Sequence, residues 1–409
     1  MINVEEIRRD FPMLKQTMQG QPLVYLDNAA TTFKPQCVID AVTNYYTNFT
    51  ANCHRGDYDL SHDVDVAYEN VRTKVARLIN CLDKEVAFTS GASESLNIVA
   101  NGVGQWLEEG DEILLNEAEH ASNILPWFMV AKEKKAVIKY IPLDKEGRLT
   151  VENVKNTITN KTKVISLAHV TNVLAFRIDV KEISKVAHEV GAYVVVDGAQ
   201  SIAHMEVDVK DLDCDFYCFS AHKMCGPTGV GVLYGKYDLL EKMNPLMMGG
   251  GMNSRFYSCG DYSLHHAPSK FEAGTPNIEG VIGFGAAIDY LLKIGMNNIH
   301  EYEYELKKYA VSELKKIPNI IIYNENSESG VITFNNENIF AQDLATHFNS
   351  YGIAVRAGQH CAKILMNYLG TVATVRASIS FYNTKEEIDK FIEICKKGDE
   401  YLNAFFKWS

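Results

Sequence analysis

Seven short apolar runs, at residues 85–90, 112–116, 137–143, 163–170, 192–197, 215–220 and 230–234, constrain this chain more than any other feature. Between them lie stretches such as 93–107, 121–133 and 181–190, whose apolar residues recur at helical spacing. Strands that are continuously apolar are buried on both faces, and intervening helices supply both the cover and the long crossovers that parallel strands need. The pattern predicts an α/β fold, a mainly parallel sheet wrapped by helices. From 245 to 276 the periodicity gives way to a Gly-, Met- and Ser-rich stretch, longer than a compact domain carries without a use for it, and so a candidate site wall or subunit contact. Helical periods at 277–294 and 299–316 then lead into tighter alternation at 320–323, 330–335, 341–351, 375–381 and 385–401, which reads as a smaller α/β domain. With 409 residues, 46% of them apolar, the chain has the length for two domains.

Charge and cysteine content narrow the class. A formal net charge of −12 argues against a nucleic-acid partner or an anionic membrane surface, since both are bound through clustered Lys and Arg. No run of about 18 apolar residues occurs, so no membrane span is expected. The opening residues interleave charges with apolar positions, unlike a secretion signal. Nine cysteines, an odd number scattered without paired metal-ligand spacing, point to reduced thiols, no metal site and a cytoplasmic location. The Cys214 and Cys218 pair reads as strand packing.

Chemistry gathers where strands end. The run Tyr193-Val-Val-Val-Asp197-Gly-Ala-Gln200 delivers a carboxylate at a strand tip, where open α/β sheets build their sites. The next run ends in Ser220-Ala-His222-Lys223 before a Gly-rich turn. A lysine in a partly desolvated pocket loses its proton readily and can attack an aldehyde. Ser220 and His222 suit a phosphate, as does Ser-Gly91-Ala92-Ser93, where a glycine turn opens a helix whose free amides favour an anion.

Further segments join these: Tyr25-Leu-Asp-Asn-Ala-Ala-Thr-Thr, His54-Arg-Gly, His120-Ala-Ser-Asn-Ile-Leu-Pro-Trp127, His169-Val-Thr-Asn172, Phe271-Glu-Ala-Gly-Thr275-Pro-Asn, Arg356-Ala-Gly-Gln-His-Cys361-Ala and Arg376-Ala-Ser. With them the chain resembles, over nearly its whole length, the fold-type I pyridoxal-phosphate enzymes of the class V aminotransferase branch, specifically the group II, SUF-type cysteine desulfurases. The resemblance implies that Lys223 carries pyridoxal phosphate as a Schiff base and, once freed by substrate, acts as a base. It implies that Asp197 pairs with the ring nitrogen, Gln200 bonds the phenolic oxygen and His120 stacks on the ring. Ser93, Ala92 through its backbone, Ser220 and His222 would hold the phosphate. Thr275 would reach the phosphate of the other subunit, making a homodimer part of the site. Asn172 and Arg376 would clamp the carboxylate of L-cysteine, a task suited to a guanidinium fork. Cys361 would take the sulfur as a persulfide and leave L-alanine, the sulfur passing to an acceptor protein of a SUF-type iron–sulfur assembly system.

The same resemblance divides the chain into an N-terminal segment, 1–20, packed on the small domain, a large cofactor-binding domain, 21–295, and a small domain, 296–409, bearing the cysteine loop. A selenocysteine lyase or another class V enzyme would share Lys223, Asp197 and Gln200, whereas a sulfur-transfer scaffold would have lost the chemistry. Departures from the family pattern occur at Gln359, where a first histidine is usual, at Gln342, and at 175–179, where Phe176 and Arg177 are expected to put bulk and charge near Asn172. His360 and Arg356 are candidate cations for lowering the Cys361 thiol, and Glu94, Glu272 and the 301–308 charge run are expected to be caps and solvated faces.

Overall fold

The computed structural model describes residues 2–54 and 56–400; Arg55 of the His-Arg-Gly motif and residue 401 of the last predicted element lie outside them. A seven-stranded sheet runs in the order Val86–Thr89, Gly231–Gly235, Phe216–Ser220, Tyr193–Asp197, Thr162–Ala168, Glu112–Asn116 and Val137–Ile141. Every neighbouring pair is parallel except those of Gly231–Gly235, which is antiparallel to both strands beside it. Strands Glu112–Asn116 and Phe216–Ser220 are buried at every residue, which is why their sequences show no polar alternation. One face is covered by Ala92–Gly104 and Leu125–Lys134, with Trp127 buried in the contact. The other is covered by Asp59–Leu78, Val180–Glu189 and Ile278–Ile294 through Val64, Tyr68, Ile183 and Phe284.

The stretch at 245–276 is more ordered than its composition suggests. Asn253–Phe256 and Tyr262–Leu264 pair as an antiparallel hairpin.

A second, fully antiparallel sheet has the order Ile320–Ile322, Val331–Asn336, Thr374–Ser378, Arg356–Gly358. Its core combines Phe334, Phe348 and Phe391 with Val24 and Leu26 from the start of the chain, because Val24–Tyr25 pairs in parallel with Ile353–Ala354. The leading segment contacts Tyr290 in helix Ile278–Ile294 and residues 381–387 beyond the second sheet. Arg8 donates to the Tyr382 carbonyl at 2.6 Å and pairs with Glu387 at 2.8 Å, while Phe11 packs on Tyr290, Phe381 and Tyr382. Among the described residues no helix is long and apolar enough to cross a membrane, and no group of three or more His, Cys, Asp or Glu is placed to hold a metal ion.

Candidate active site

Parallel strands bring their C-terminal tips to one edge of the sheet, and register sets which tips are adjacent. Asp197 pairs with Ala168 on one side and Cys218 on the other. Its Oδ1 accepts the Ala199 N–H at 2.9 Å, so the carboxylate is tied to the turn that follows. That turn needs Gly198, where a Cβ would stand 2.0 Å from the Tyr217 ring. Two residues on, Gln200 donates to the Ala29 carbonyl at 2.8 Å. The adjacent strand ends at Ser220 and passes into the 3-10 turn Ala221–Lys223.

Burial governs the titration of these groups. The Lys223 amine is pushed down to about 8, the nearby Asp197 charge opposing the shift. His222 is pushed down to about 4 by burial and the Lys223 charge. Burial also holds His120 below its ordinary value. Its Nδ1 accepts the Ser122 N–H at 3.1 Å, which leaves the proton of the neutral ring on Nε2.

Helix Ala92–Gly104 begins at Gly91, which has no side chain to cap it, and its first two residues, Ala92 and Ser93, line the same cavity as Lys223. Ser220 Oγ accepts the Ala92 N–H at 2.7 Å, and the Ser93 and Ser122 hydroxyls bond at 2.6 Å. Only glycine fits at 231 beneath this turn, because a Cβ there would lie 2.4 Å from Gly91 Cα.

The small sheet closes the site. Arg376 stands mid-strand, opposite Arg356 in register. Its Nη1 donates to the Asn172 carbonyl at 2.9 Å and Nη2 approaches Asp27 at 3.5 Å, while Nε is buried with no partner. Burial and the Arg356 charge press Arg376 down to about 10. Asn172 Nδ2 donates to the His360 carbonyl at 2.7 Å. His360 and Cys361 both take left-handed backbone, φ 51° and 57°. The bend is held by His360 Nε2 near Thr374 (3.0 and 3.1 Å) and by the Ala121 N–H donating to the Cys361 carbonyl at 2.7 Å. The Cys361 side chain is exposed.

One cavity of about 250 Å³ is therefore lined by Ala92, Ser93, His120, Asn172, Asp197, Gln200, Ser220, His222, Lys223, Cys361 and Arg376 together. Thr275 is apart from them, in a different cavity beside Ser90, Glu94 and Gly229. Asp27, Arg356, Ser122 and Glu119 complete the surroundings. Of these, Asp27, Ser122 and Arg356 belong to sequence motifs named above, while Glu119 carries no signal beyond adjacency to His120.

Several expectations need correction. Burial pushes His360 down to about 3, so its ring is neutral and supplies no cation to Cys361. Phe176 is turned into the core among Leu174, Leu365 and Met366 under the Arg148 guanidinium, and Arg177 faces outward, so neither lines the cavity. Glu272 is a structural ion: it pairs with Arg72 at 2.7 Å and accepts the Phe88 N–H at 2.8 Å, pinning the segment before Thr275 to the sheet edge. In the 301–308 run, Glu303 and Lys307 are buried, Glu303 against His204 at 2.7 Å. Glu94 reaches back from the first turn of its helix to accept the N–H of Ser90, the residue before the N-cap Gly91, at 2.6 Å.

Glu119, fully buried, joins three elements. It accepts from Asn116, from Asn123 at 2.8 Å and from the Ala168 N–H at 2.9 Å, and burial pushes it up to about 7 despite these donors. Glu119→Ala leaves those donors unsatisfied beside His120. We expect a loss of about 2–4 kcal/mol in chemical unfolding, read as a lower denaturant midpoint at unchanged slope.

These residues suit pyridoxal phosphate. A proton-poor amine can meet its aldehyde, the Asp197 carboxylate its ring nitrogen, and the helix N-terminus with the hydroxyls of Ser93 and Ser220 its phosphate. Strand tips that place such an amine beside a carboxylate, with a helix N-terminus across the gap, define a fold-type I pyridoxal-phosphate enzyme. The chain belongs to the aminotransferase class-V family, which it matches over residues 24–391. It is 46% identical over 407 residues to a probable cysteine desulfurase of Halalkalibacterium halodurans, covering 99% of this chain and 100% of that one. Among solved structures it is similar to the cysteine desulfurase CsdA of Escherichia coli in its S-sulfonic acid form, at 37% identity and a TM-score of 0.91 over 98% of this chain and 99% of that one. It is also similar to the apo cysteine desulfurase of Thermococcus onnurineus, at 37% identity and a TM-score of 0.92 over 97% and 98% of the two chains.

Proposed function

We propose that this cavity removes the sulfur of L-cysteine, leaving L-alanine, and carries the sulfur off on Cys361. The observation behind this reading is that Lys223, Arg376 and the exposed Cys361 thiol open into one cavity. Pyridoxal phosphate, when bound, supplies an electron sink that acidifies the substrate Cα. The chain's own residues do the rest. Asp197 would hold a proton at the ring nitrogen, Gln200 would meet the phenolic oxygen, His120 would cover the ring, and Ser93, Ala92, Ser220 and His222 would hold the phosphate. Arg376, with an unpartnered buried Nε, receives the substrate carboxylate together with Asn172, orienting the sulfur toward the cysteine loop. Lys223, its amine already depressed, moves the Cα proton. Cys361 Sγ bonds to the substrate sulfur as the Cβ–S bond breaks, the electron pair passing to Cβ, which is then protonated to alanine.

We read Thr275, set apart from its own chain's cavity, as serving a partner subunit in a homodimer. We read a large unit to residue 295 and a smaller one beyond it, with 24–26 lending apolar side chains to the smaller. The reading extends to a cytoplasmic enzyme handing sulfur to a SUF-type acceptor. Gln342, exposed near the start of helix Ala341–Ser350, is where that acceptor's docking would differ from the family pattern.

The test is alanine and persulfide formation from L-cysteine by the purified, pyridoxal-phosphate-loaded protein, with and without a thiol reductant. We expect reductant-stimulated alanine and, without reductant, a Cys361 peptide heavier by one sulfur. Bound cofactor without cysteine turnover would reassign the chain to another class V substrate.

A further inference from the structure

The carbonyl oxygen of His222, which begins the peptide bond to Lys223, receives four donors from one remote segment. Thr32 donates both its backbone N–H and its hydroxyl at 3.1 Å, Thr31 its hydroxyl at 3.1 Å, and Lys34 its ammonium at 3.2 Å. A carbonyl oxygen has two lone pairs, and one or two donors satisfy it. Four are more than burial of a polar group requires. Thr32 Oγ1 also accepts the Cys225 N–H at 2.8 Å, so a single side chain bridges the backbone on both sides of Lys223. Lys34 makes no ion pair among the described residues; its ammonium reaches Thr31 Oγ1 at 3.3 Å and the Thr32 carbonyl as well. The other end of the same segment meets the rest of the site, Asp27 at Arg376 and the Ala29 carbonyl at Gln200.

We propose that Thr31, Thr32 and Lys34 are positioning residues for Lys223, locking the plane of the His222–Lys223 peptide and with it the direction in which the lysine side chain leaves the backbone. The inference rests on Lys223 being the cofactor-bearing lysine. A lysine side chain has four rotatable bonds, so its amine reaches one place in a cavity only if its first bond is aimed. The turn Ala221–Lys223 is three residues long and has few bonds of its own for the purpose. The remote donors fix what the short turn leaves free.

The test compares Thr32→Val, Lys34→Met and the pair with the unaltered chain. Competitive acetic anhydride labelling of the apo-protein, read by peptide mass, gives the titration midpoint of Lys223 without any cofactor. Steady-state kinetics of the loaded enzyme give kcat and KM for L-cysteine. We expect the Lys223 midpoint to rise from about 8 toward the ordinary lysine value and kcat to fall about tenfold with KM within about twofold, as misaiming a reacting group does. Thr32→Ser and Lys34→Arg restore both readouts. Folded variants whose midpoint and kcat match the unaltered chain would overturn the inference, as would a loss that the conservative replacements leave in place. Should the pair not fold, Lys34→Gln and Thr31→Val are read by the same two measurements. Borohydride reduction and peptide mapping of the unaltered enzyme separates the two levels: a pyridoxyl group found elsewhere than Lys223 sinks the functional reading itself.

Discussion

Lys223→Ala should abolish turnover, by on the order of 10³-fold or more in kcat, while leaving the fold intact. The amine stands in the turn just past a strand tip, half-buried at the cavity, where burial brings its pKa from the ordinary 10.5 to about 8. At pH 7 about a tenth of such amines are neutral, against roughly one in three thousand for an unperturbed lysine. Only the neutral amine can attack an aldehyde or accept a proton from carbon, so the shift makes the residue competent at working pH. Its pH dependence has a definite sign: capture of pyridoxal phosphate by the apo-protein should accelerate as pH rises through about 8 and then level off. The variant has no second amine to substitute, since Lys34, the other depressed lysine nearby, directs its donors at the His222 carbonyl and does not line the cavity. Removing an amine that burial disfavours in its charged form relieves a desolvation cost, so the unfolding midpoint of the apo variant should be equal or higher. Turnover within tenfold of the unaltered enzyme would remove Lys223 from the role of base.

How much of this was legible before the structure depends on whether a residue's role follows from its own strand. Asp197 and Lys223 each stand at the end of an apolar run, and a parallel sheet gathers such ends at one edge, so their meeting could be anticipated from order alone. Helices Gln36–Asn48 and Asp59–Leu78 were harder to see, because polar and acidic residues crowd their narrow apolar stripes. Phe176 departs from expectation for a different reason: four positions from Asn172 in sequence, it follows a left-handed Ala175, φ 58°, and ends in a separate apolar cluster. His360 looked like a cation beside a thiol until burial, which no linear pattern reports, set it neutral. The contacts of Thr31, Thr32 and Lys34 with His222 span about 190 positions and rest on one carbonyl oxygen, a group that every residue carries and sequence cannot single out.

Cys361→Ala is expected to lower alanine formation from L-cysteine by at least about 100-fold while the cofactor still binds. The thiol is the exposed one at the cavity, on a bend where two successive non-glycine residues adopt left-handed backbone. Such backbone costs on the order of 1 kcal/mol or more per residue and persists only where the surroundings hold it, here Asn172 on the His360 carbonyl, Thr374 on the His360 ring and the Ala121 N–H on the Cys361 carbonyl. That structure aims one sulfur at the cavity. No other thiol lines the cavity: Cys225, two positions from Lys223 in sequence, is buried and pushed up to about 12, and Cys218 is buried within its strand, which holds its thiol well above the ordinary value. A thiol so far from its thiolate form is a poor nucleophile toward sulfur. Alanine substitution keeps the backbone bend and its anchors, so the spectrum of the bound cofactor should be unchanged and the loss should fall on sulfur removal alone. Cys259→Ser, at the exposed end of the hairpin and outside the cavity, is the matched control and should retain full rate. Undiminished alanine from the Cys361 variant would mean that sulfur leaves without the enzyme's thiol, and the persulfide reading would fall with it.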